Sequence, residues 1–206
     1  MIDINKTPPA TEPITLAEMR LHLGITRADD TARDTIITGR IVSARQWAEE
    51  YTRRAFITQT WGSYGADFPG DRSIAGLSLG GQDYSAIKLR GKVQSVTYIK
   101  YLDGDGVVQP LGSSLYLVDL ITNSVVPAYG TVWPSGRIQL NGVEIEYICG
   151  YGNAAAVPEA IKDALRFIVG QWEVFQSSME GVMRPFTIPN AAKQLLDNYI
   201  DMRGYF

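Results

Sequence analysis

His22 and Cys149 are the only histidine and the only cysteine among the 206 residues, so nucleophilic or metal chemistry would have to be built around one of them. Neither has the required company. No zinc-type cysteine and histidine spacing, nucleotide-binding glycine loop or G-x-S-x-G elbow occurs in the sequence. His22 falls on a short helix with no cysteine nearby and reads as a surface or cap residue. Cys149 follows the strand-like VEIEYI run and reads as a small buried hydrophobe, with no second cysteine to form an internal bridge. The DGDG run at 103–106 partly resembles a calcium loop, but an EF-hand continues to a distant glutamate that this sequence lacks, so a tight turn is expected. Tyr64, Tyr84, Tyr129 and Trp133 lie in turn regions where aromatics can bind sugar or a partner, although local packing is the simpler use. No catalytic residue, metal ligand or cofactor is assigned.

The charge balance narrows the partners. The chain carries 19 basic and 22 acidic residues, net −3, with no long basic block. A protein that grips phosphates concentrates lysine and arginine on one face, so tight DNA binding is not expected, whereas a surface that DNA passes without sticking is compatible. No apolar run approaches the ~20 residues of a membrane span. The polar start MIDINKTPPATEP lacks the basic and apolar regions of a signal peptide, and the chain reads as a soluble intracellular product. A fold of this length can bury roughly 70% of its unfolded surface without disulfides.

The elements that position any functional surface start from the helix expected over 158–175. Pro158 suits the first turn, and Glu159 and Asp163 complement the helix dipole. Ile161, Leu165, Ile168, Trp172 and Phe175 follow at alternating spacings of four and three, along one face. Phe167 and Val174 widen that surface beyond what one partner helix needs. Gly170 costs roughly 1 kcal/mol against alanine in mid-helix, which points to a close backbone contact there. Upstream, Thr15 with Glu18 forms a capping box and Ile14 with Met19 a hydrophobic staple, predicting a helix over 16–23 stopped by Gly24. A second helix, capped by Asp29 or Asp30, runs to about Thr52 with the stripe Ile37, Ile41, Ala44, Ala48 and Tyr51. Ala44 and Ala48 would face Ile168 and Trp172. Arg45 and Glu49 read as an exposed i, i+4 pair. Ile36 and Trp47 lie off the stripe and, with Phe167 and Val174, form the candidate subunit-interface set.

From Phe56 the pattern changes to short β-rich runs, with strands expected at 57–61, 77–79, 86–89, 93–102, 107–111, 115–118, 137–140 and 143–148. Asn141-Gly142 is a second turn signal, and Val143, Ile145 and Tyr147 alternate with Glu144 and Glu146 as one buried and one wet face. A last helix opens at Pro189-Asn190 and is too short to stand alone. The expected fold is α+β: a helical domain of three to four helices (14–56 and 157–206) interrupted by an antiparallel β insertion (57–150), with 1–13 as an extended arm.

The ordered set PITLAEMRLHL, DD with a helix ending in ARQWAEEYTRRAFITQTW, then YLDGDGV, YLVD, VWP, YICGYGNAAAVPEAIKDAL and QLLDNYIDMR resembles the head-tail connector proteins of tailed bacteriophages and gene transfer agents, in the variant with a β insertion. The resemblance spans 13–203 and has no catalytic motif to transfer. It implies a structural virion protein of the neck, made in the host cytoplasm: an adaptor ring of twelve copies between the portal protein and the next neck or tail-completion protein, surrounding the channel through which double-stranded DNA passes. It also implies a C-terminal portal anchor, here Leu195, Leu196, Tyr199, Tyr205 and Phe206. The alternative from another class is a monomeric carbohydrate- or calcium-binding α+β module using the loops of the β insertion.

Overall fold

The computed structural model describes residues 1–26, 31–69, 86–177 and 188–201, with the backbone alone for 175–177. The chain forms two units. One comprises Pro9–Thr58 and Tyr151–Met202, the other Met1–Pro8 and Gln59–Gly150, each over its described residues.

The helical unit contains α1 (Leu16–His22), α2 (Thr31–Thr52), α3 (Glu159–Ser177) and α4 (Asn190–Asp197). The Thr15–Glu18 capping box is formed in both directions, satisfying two of the N–H groups that a helix start leaves without partners. Gly24 stops the turn at φ +65°, and the staple residues Ile14 and Met19 are buried. α3 packs on α2 and α4. Ile161, Leu165, Ile168 and Trp172 share one core with Ile37, Ile41, Ala44 and Ala48 of α2, as the two stripes predict. At Gly170 the close neighbour is a side chain and not backbone: a Cβ there would stand 3.6 Å from His22 Nε2. The expected caps Asp29 and Asp30, and the side chain of Phe175, lie outside the described residues.

Two expectations are corrected in this unit. Arg45 and Glu49 are each only 4% exposed, because the face of α2 that they occupy is covered. Arg45 donates to Glu12 and to Glu49, each at 2.7 Å, and the backbone N–H of Phe56 donates to the other Glu49 oxygen at 2.7 Å. Burial works against the guanidinium charge, but Glu12 and Glu49 outweigh it and hold Arg45 above the usual arginine range. Leu196, expected among the portal contacts, is 0% exposed and belongs with Ala192 to the subunit's own core. The apolar side of α4 meets α3 and α2, whose wide stripes supply the burial a short helix needs. Polar contacts reinforce it: Tyr51 Oη donates to Asp197 at 2.6 Å and Asp201 N–H to the Thr52 carbonyl at 2.9 Å.

The β unit holds β1 (Ile2–Thr7), β2 (Gln59–Gly65), β3 (Ile87–Lys88), β4 (Val93–Leu102), β5 (Val108–Pro110), β6 (Tyr116–Asp119), β7 (Ser124–Pro127) and β8 (Val143–Cys149). They form two antiparallel sheets, one ordered β1-β2-β8-β4-β5 and the other β3-β7-β6. β8 lies at the centre of the larger sheet, with Val143, Ile145, Tyr147 and Cys149 buried. The DGDG run closes the β4–β5 hairpin: Asp103 Oδ1 accepts the N–H groups of Asp105 and Val107, and Oδ2 accepts Gln109 Nε2. Buried Asn123, at φ 49°, accepts the Val93 N–H through its side chain and the Leu89 N–H through its carbonyl, tying the β6–β7 turn to its neighbours.

One unexpected strand and two expected ones need comment. Residues 2–7, read as part of an extended arm, are the edge strand β1. Residues 137–140 form no strand: Arg137 N–H bonds the Leu102 carbonyl at 3.0 Å and Gln139 N–H the Ala66 carbonyl at 3.3 Å, two different neighbours rather than one ladder. They lead into the Asn141-Gly142 turn, where a Cβ at Gly142 would stand 2.7 Å from the Ala66 carbonyl oxygen. The strand expected at 77–79 lies outside the described residues.

Leu196→Ala should lower the unfolding free energy of the helical unit by about 2–5 kcal/mol, the range for emptying a buried leucine site. Leu195→Ala, at a partly exposed position, should cost less. Denaturant titration followed by circular dichroism measures both, and equal small effects would show that α4 is not part of the core.

Candidate functional site

The helical unit carries apolar side chains that its own core does not use. Ile36 is 43% exposed, Phe167 41% and Val174 60%. Phe167 and Val174 stand two turns apart on one line of α3. Ile36 lies three residues after Arg33 and four before Arg40 on α2, and both arginines clasp Glu173, the residue before Val174. This clasp fixes the stretch of α2 that carries Ile36 against the stretch of α3 that carries Val174. At the other end of the line the His22 ring lies 6.3 Å from the Phe167 ring, and its neighbour Leu21 on α1 is 83% exposed. The exposed apolar side chains of this unit thus lie on α1, α3 and α2, with an ion-paired clasp joining the last two. Leu21 was not singled out from sequence; its signal is a large apolar residue outside the pair Ile14 and Met19 that α1 buries.

Trp47 does not belong to this set. It sits about 16 Å farther along α2 than Ile36, packs against the core and stacks on Tyr51 at 5.1 Å. Of the expected portal-contact set, Leu195 and Tyr199 are partly buried against the core and Leu196 is inside it. Tyr205 and Phe206 lie outside the described residues.

A groove of about 560 Å³ lies in the same unit between the segment around Glu12 and Ile14, α2 and the turn at Ala154–Ala156. Its polar groups are engaged by the fold: Glu12 with Arg45, Thr15 in the capping box and Asn153 with the Ala156 N–H. What it offers a ligand is apolar shape.

In the β unit, one face of the larger sheet is a charged cluster. Lys6 on β1 reaches across β2 at Gly62, where a Cβ would stand 2.9 Å from its stem. Its ammonium donates to Glu144 at 2.5 Å, Glu146 at 2.8 Å and Tyr98 Oη at 2.9 Å. Tyr98 Oη in turn donates to Glu144 at 2.8 Å, and Tyr64 Oη also donates to Glu144, at 3.3 Å. Burial disfavours charge at both Lys6 and Glu144, but the hydrogen bonds outweigh it, raising Lys6 above the usual lysine range and lowering Glu144 below the usual carboxylate range. This arrangement fastens a strand; the ammonium, the two carboxylates and the phenols bond one another. Of the aromatic residues considered for ligand binding, Tyr64 belongs to this cluster and Trp133 stacks on Phe68 at 4.8 Å. Tyr129 is fully exposed, and Tyr84 lies outside the described residues. Beside Tyr129 the unit also exposes Leu117, Ile121, Val132 and Leu140.

Residues 13–99 match the family model described as phage gp6-like head-tail connector protein. No curated protein sequence matches the chain. Among solved structures, it is similar to a chain in the neck of an empty gene transfer agent particle computed with C6 symmetry and to one in the virion of a native gene transfer agent. Each shares 20% identity at a TM-score of 0.72, covering 97% of this chain and 95% of that one. A chain in the neck of a native particle computed with C12 symmetry matches over the same shares at 18% identity and a TM-score of 0.61. The resemblance to head-tail connector proteins read from the sequence thus has a family model behind it, and these solved chains share the fold over nearly the whole length. The likeness is to a head-tail connector family model over 13–99 and, in fold, to chains of gene transfer agent particles.

The Lys6 cluster gives β1 a defined pH window. Because Glu144 is lowered on folding, its contribution is present above the usual carboxylate range and is lost as pH falls through its folded value. Raised Lys6 keeps its contribution up to and beyond the usual lysine range. Amide exchange of residues 2–7 should therefore stay slow from neutral into mildly acidic solution and quicken only at lower pH. Lys6→Met should quicken it already at neutral pH, by about 1 kcal/mol of local stability. Unchanged exchange in that variant would show that backbone pairing alone holds the strand.

Proposed function

We propose that the chain is a structural protein of a virion neck, assembling as a ring between the portal and the next neck component around the DNA channel. The observation that carries this reading is the set of apolar side chains Leu21, Phe167, Val174 and Ile36, exposed on a helical unit whose core is already closed. Exposed apolar side chains grouped on a rigid scaffold mark an interaction surface. A surface that meets a different patch on the next copy gives a heterologous contact, which closes into a ring when the rotation allows. The C6 and C12 symmetries of the similar neck structures support twelve copies or a divisor of that number. The portal contact is proposed for what α4 and the residues after it leave accessible, at the partly buried Leu195 and Tyr199 and at Tyr205 and Phe206 farther along the sequence, where repetition around a ring adds weak contacts by avidity.

The channel reading rests on how the basic residues are used. Lys6, Arg20, Arg33, Arg40, Arg45, Lys162 and Arg166 all sit in ion pairs with carboxylates. Groups already neutralised by protein release few counterions from DNA. Duplex DNA should therefore bind the isolated protein more weakly than roughly micromolar at physiological salt. A tighter, steeply salt-dependent affinity would overturn the passing-channel reading.

Phe167→Glu combined with Ile36→Glu should leave the unfolding transition of the isolated chain nearly unchanged, since both side chains are exposed, and should block its assembly on portal-bearing heads. Trp47→Glu is the poorer probe, because it also breaks the stack on Tyr51. Normal attachment of the double variant to heads, seen by negative-stain microscopy, would sink this choice of surface.

A further inference from the structure

The covalent and non-covalent attachments of β1 differ. Its residues Ile2 to Thr7 pair with β2 in the β unit, yet its peptide chain continues through Pro8 and Pro9 into the helical unit. From β1 the chain reaches the rest of its sheet only after passing through Pro9–Thr58 of the helical unit. Every residue of the strand is exposed, so the strand buries little apolar surface of its own. What holds it beyond the ladder is polar and local: Lys6 with Glu144, Glu146 and Tyr98, and Asn5 with Gln59. The receiving side is shaped for this strand. Gly62 leaves open the path along which the Lys6 stem crosses β2, and two carboxylates wait beyond it.

The tether is short. Glu12 is fixed in the helical unit by Arg45, and five Cα steps separate it from Thr7, a reach of about 17 Å when extended. The consecutive prolines Pro8 and Pro9 favour the extended form. A strand on such a tether can serve its own sheet or the sheet of an immediately adjacent copy, with identical contacts in both cases, which is the condition under which exchange between protomers costs little.

We propose that β1 is an exchanged strand in the assembled protein. It pairs with β2 of the neighbouring copy, and its Lys6 enters that copy's Glu144, Glu146 and Tyr98 cluster, so that each copy completes the next one's sheet. This rests on the ring reading, since a head-to-tail relation between copies gives every strand a receiving edge. The mode is strand addition, in which main-chain bonds supply affinity and one side chain fixes the register.

The native residues provide the test. A carbodiimide joins an ammonium to a carboxylate in direct contact, and Lys6 lies within 2.8 Å of Glu146. Light- and heavy-isotope copies are purified apart as monomers, mixed in equal amounts, assembled and cross-linked, and the Lys6–Glu144 and Lys6–Glu146 peptides are read by mass spectrometry. Exchange gives about half hybrid light–heavy pairs in the assembly, as random neighbours in a ring require, and none in the dilute monomer. Rings whose pairs are all light or all heavy, or that lack these cross-links, overturn the exchange and leave the ring reading standing. Hybrids without rings, judged by light scattering, keep the exchange and overturn the ring. Same-isotope pairs without rings overturn both.

Discussion

The chain leaves the helical unit at Thr58 and re-enters it at Tyr151, and the rest of the architecture depends on those two passages lying side by side. Thr58 N–H donates to the Gly152 carbonyl at 2.9 Å and Tyr151 N–H to the Phe56 carbonyl at 3.0 Å, a short two-sided clasp inside the helical unit. With its ends held, an insertion of any length adds only a slowly growing closure entropy, so the helical core does not have to adjust to what is inserted. The clasp is fixed at Phe56, whose side chain is buried and whose N–H bonds Glu49. Glu49 is held by Arg45, which also holds Glu12. Three stretches of chain thus meet on one buried guanidinium. Such a network is demanding, because removing either carboxylate leaves charge stranded away from water.

Signals that act over a turn or two were legible in the sequence. The capping box at Thr15, the stop at Gly24, the stripe of α3 and the alternation in β8 each depend on residues within one short stretch of the chain. The structure reproduces them, with β4 at its expected bounds. What the sequence hid depends on distant partners. β1 reads as a tail because its ladder partner among the described residues, β2, is more than fifty residues away, and because its own residues stay exposed. β7 was missed although Val125 is wholly buried, since SVVP is short and ends in proline. Arg45 and Glu49 have the spacing of a solvated pair, and only the approach of Glu12 and Phe56 makes them internal. For the candidate surface, Ile36, Phe167 and Val174 were legible as apolar residues left over from the stripes. That α2 and α3 are clasped through Glu173 beside Ile36 and Val174 needed the fold, and Leu21 needed the placement of α1.

The two chain ends illustrate opposite ways of attaching a terminal segment. α4 is held by burial: Ala192 and Leu196 are inside the core, and detaching the helix exposes apolar surface that α2 and α3 cannot cover by themselves. Such a segment is part of the fold, and what it offers to a partner is limited to its outer side. β1 is held by a ladder and a polar cluster, and detaching it exposes backbone groups and charges that water can solvate. Polar fastening of this kind is specific, since one lysine must find two carboxylates and a phenol across a glycine gap, but it is indifferent to which copy supplies the strand. The N-terminal strand therefore carries register information that can act between copies, while the C-terminal helix carries stability that can act only within one.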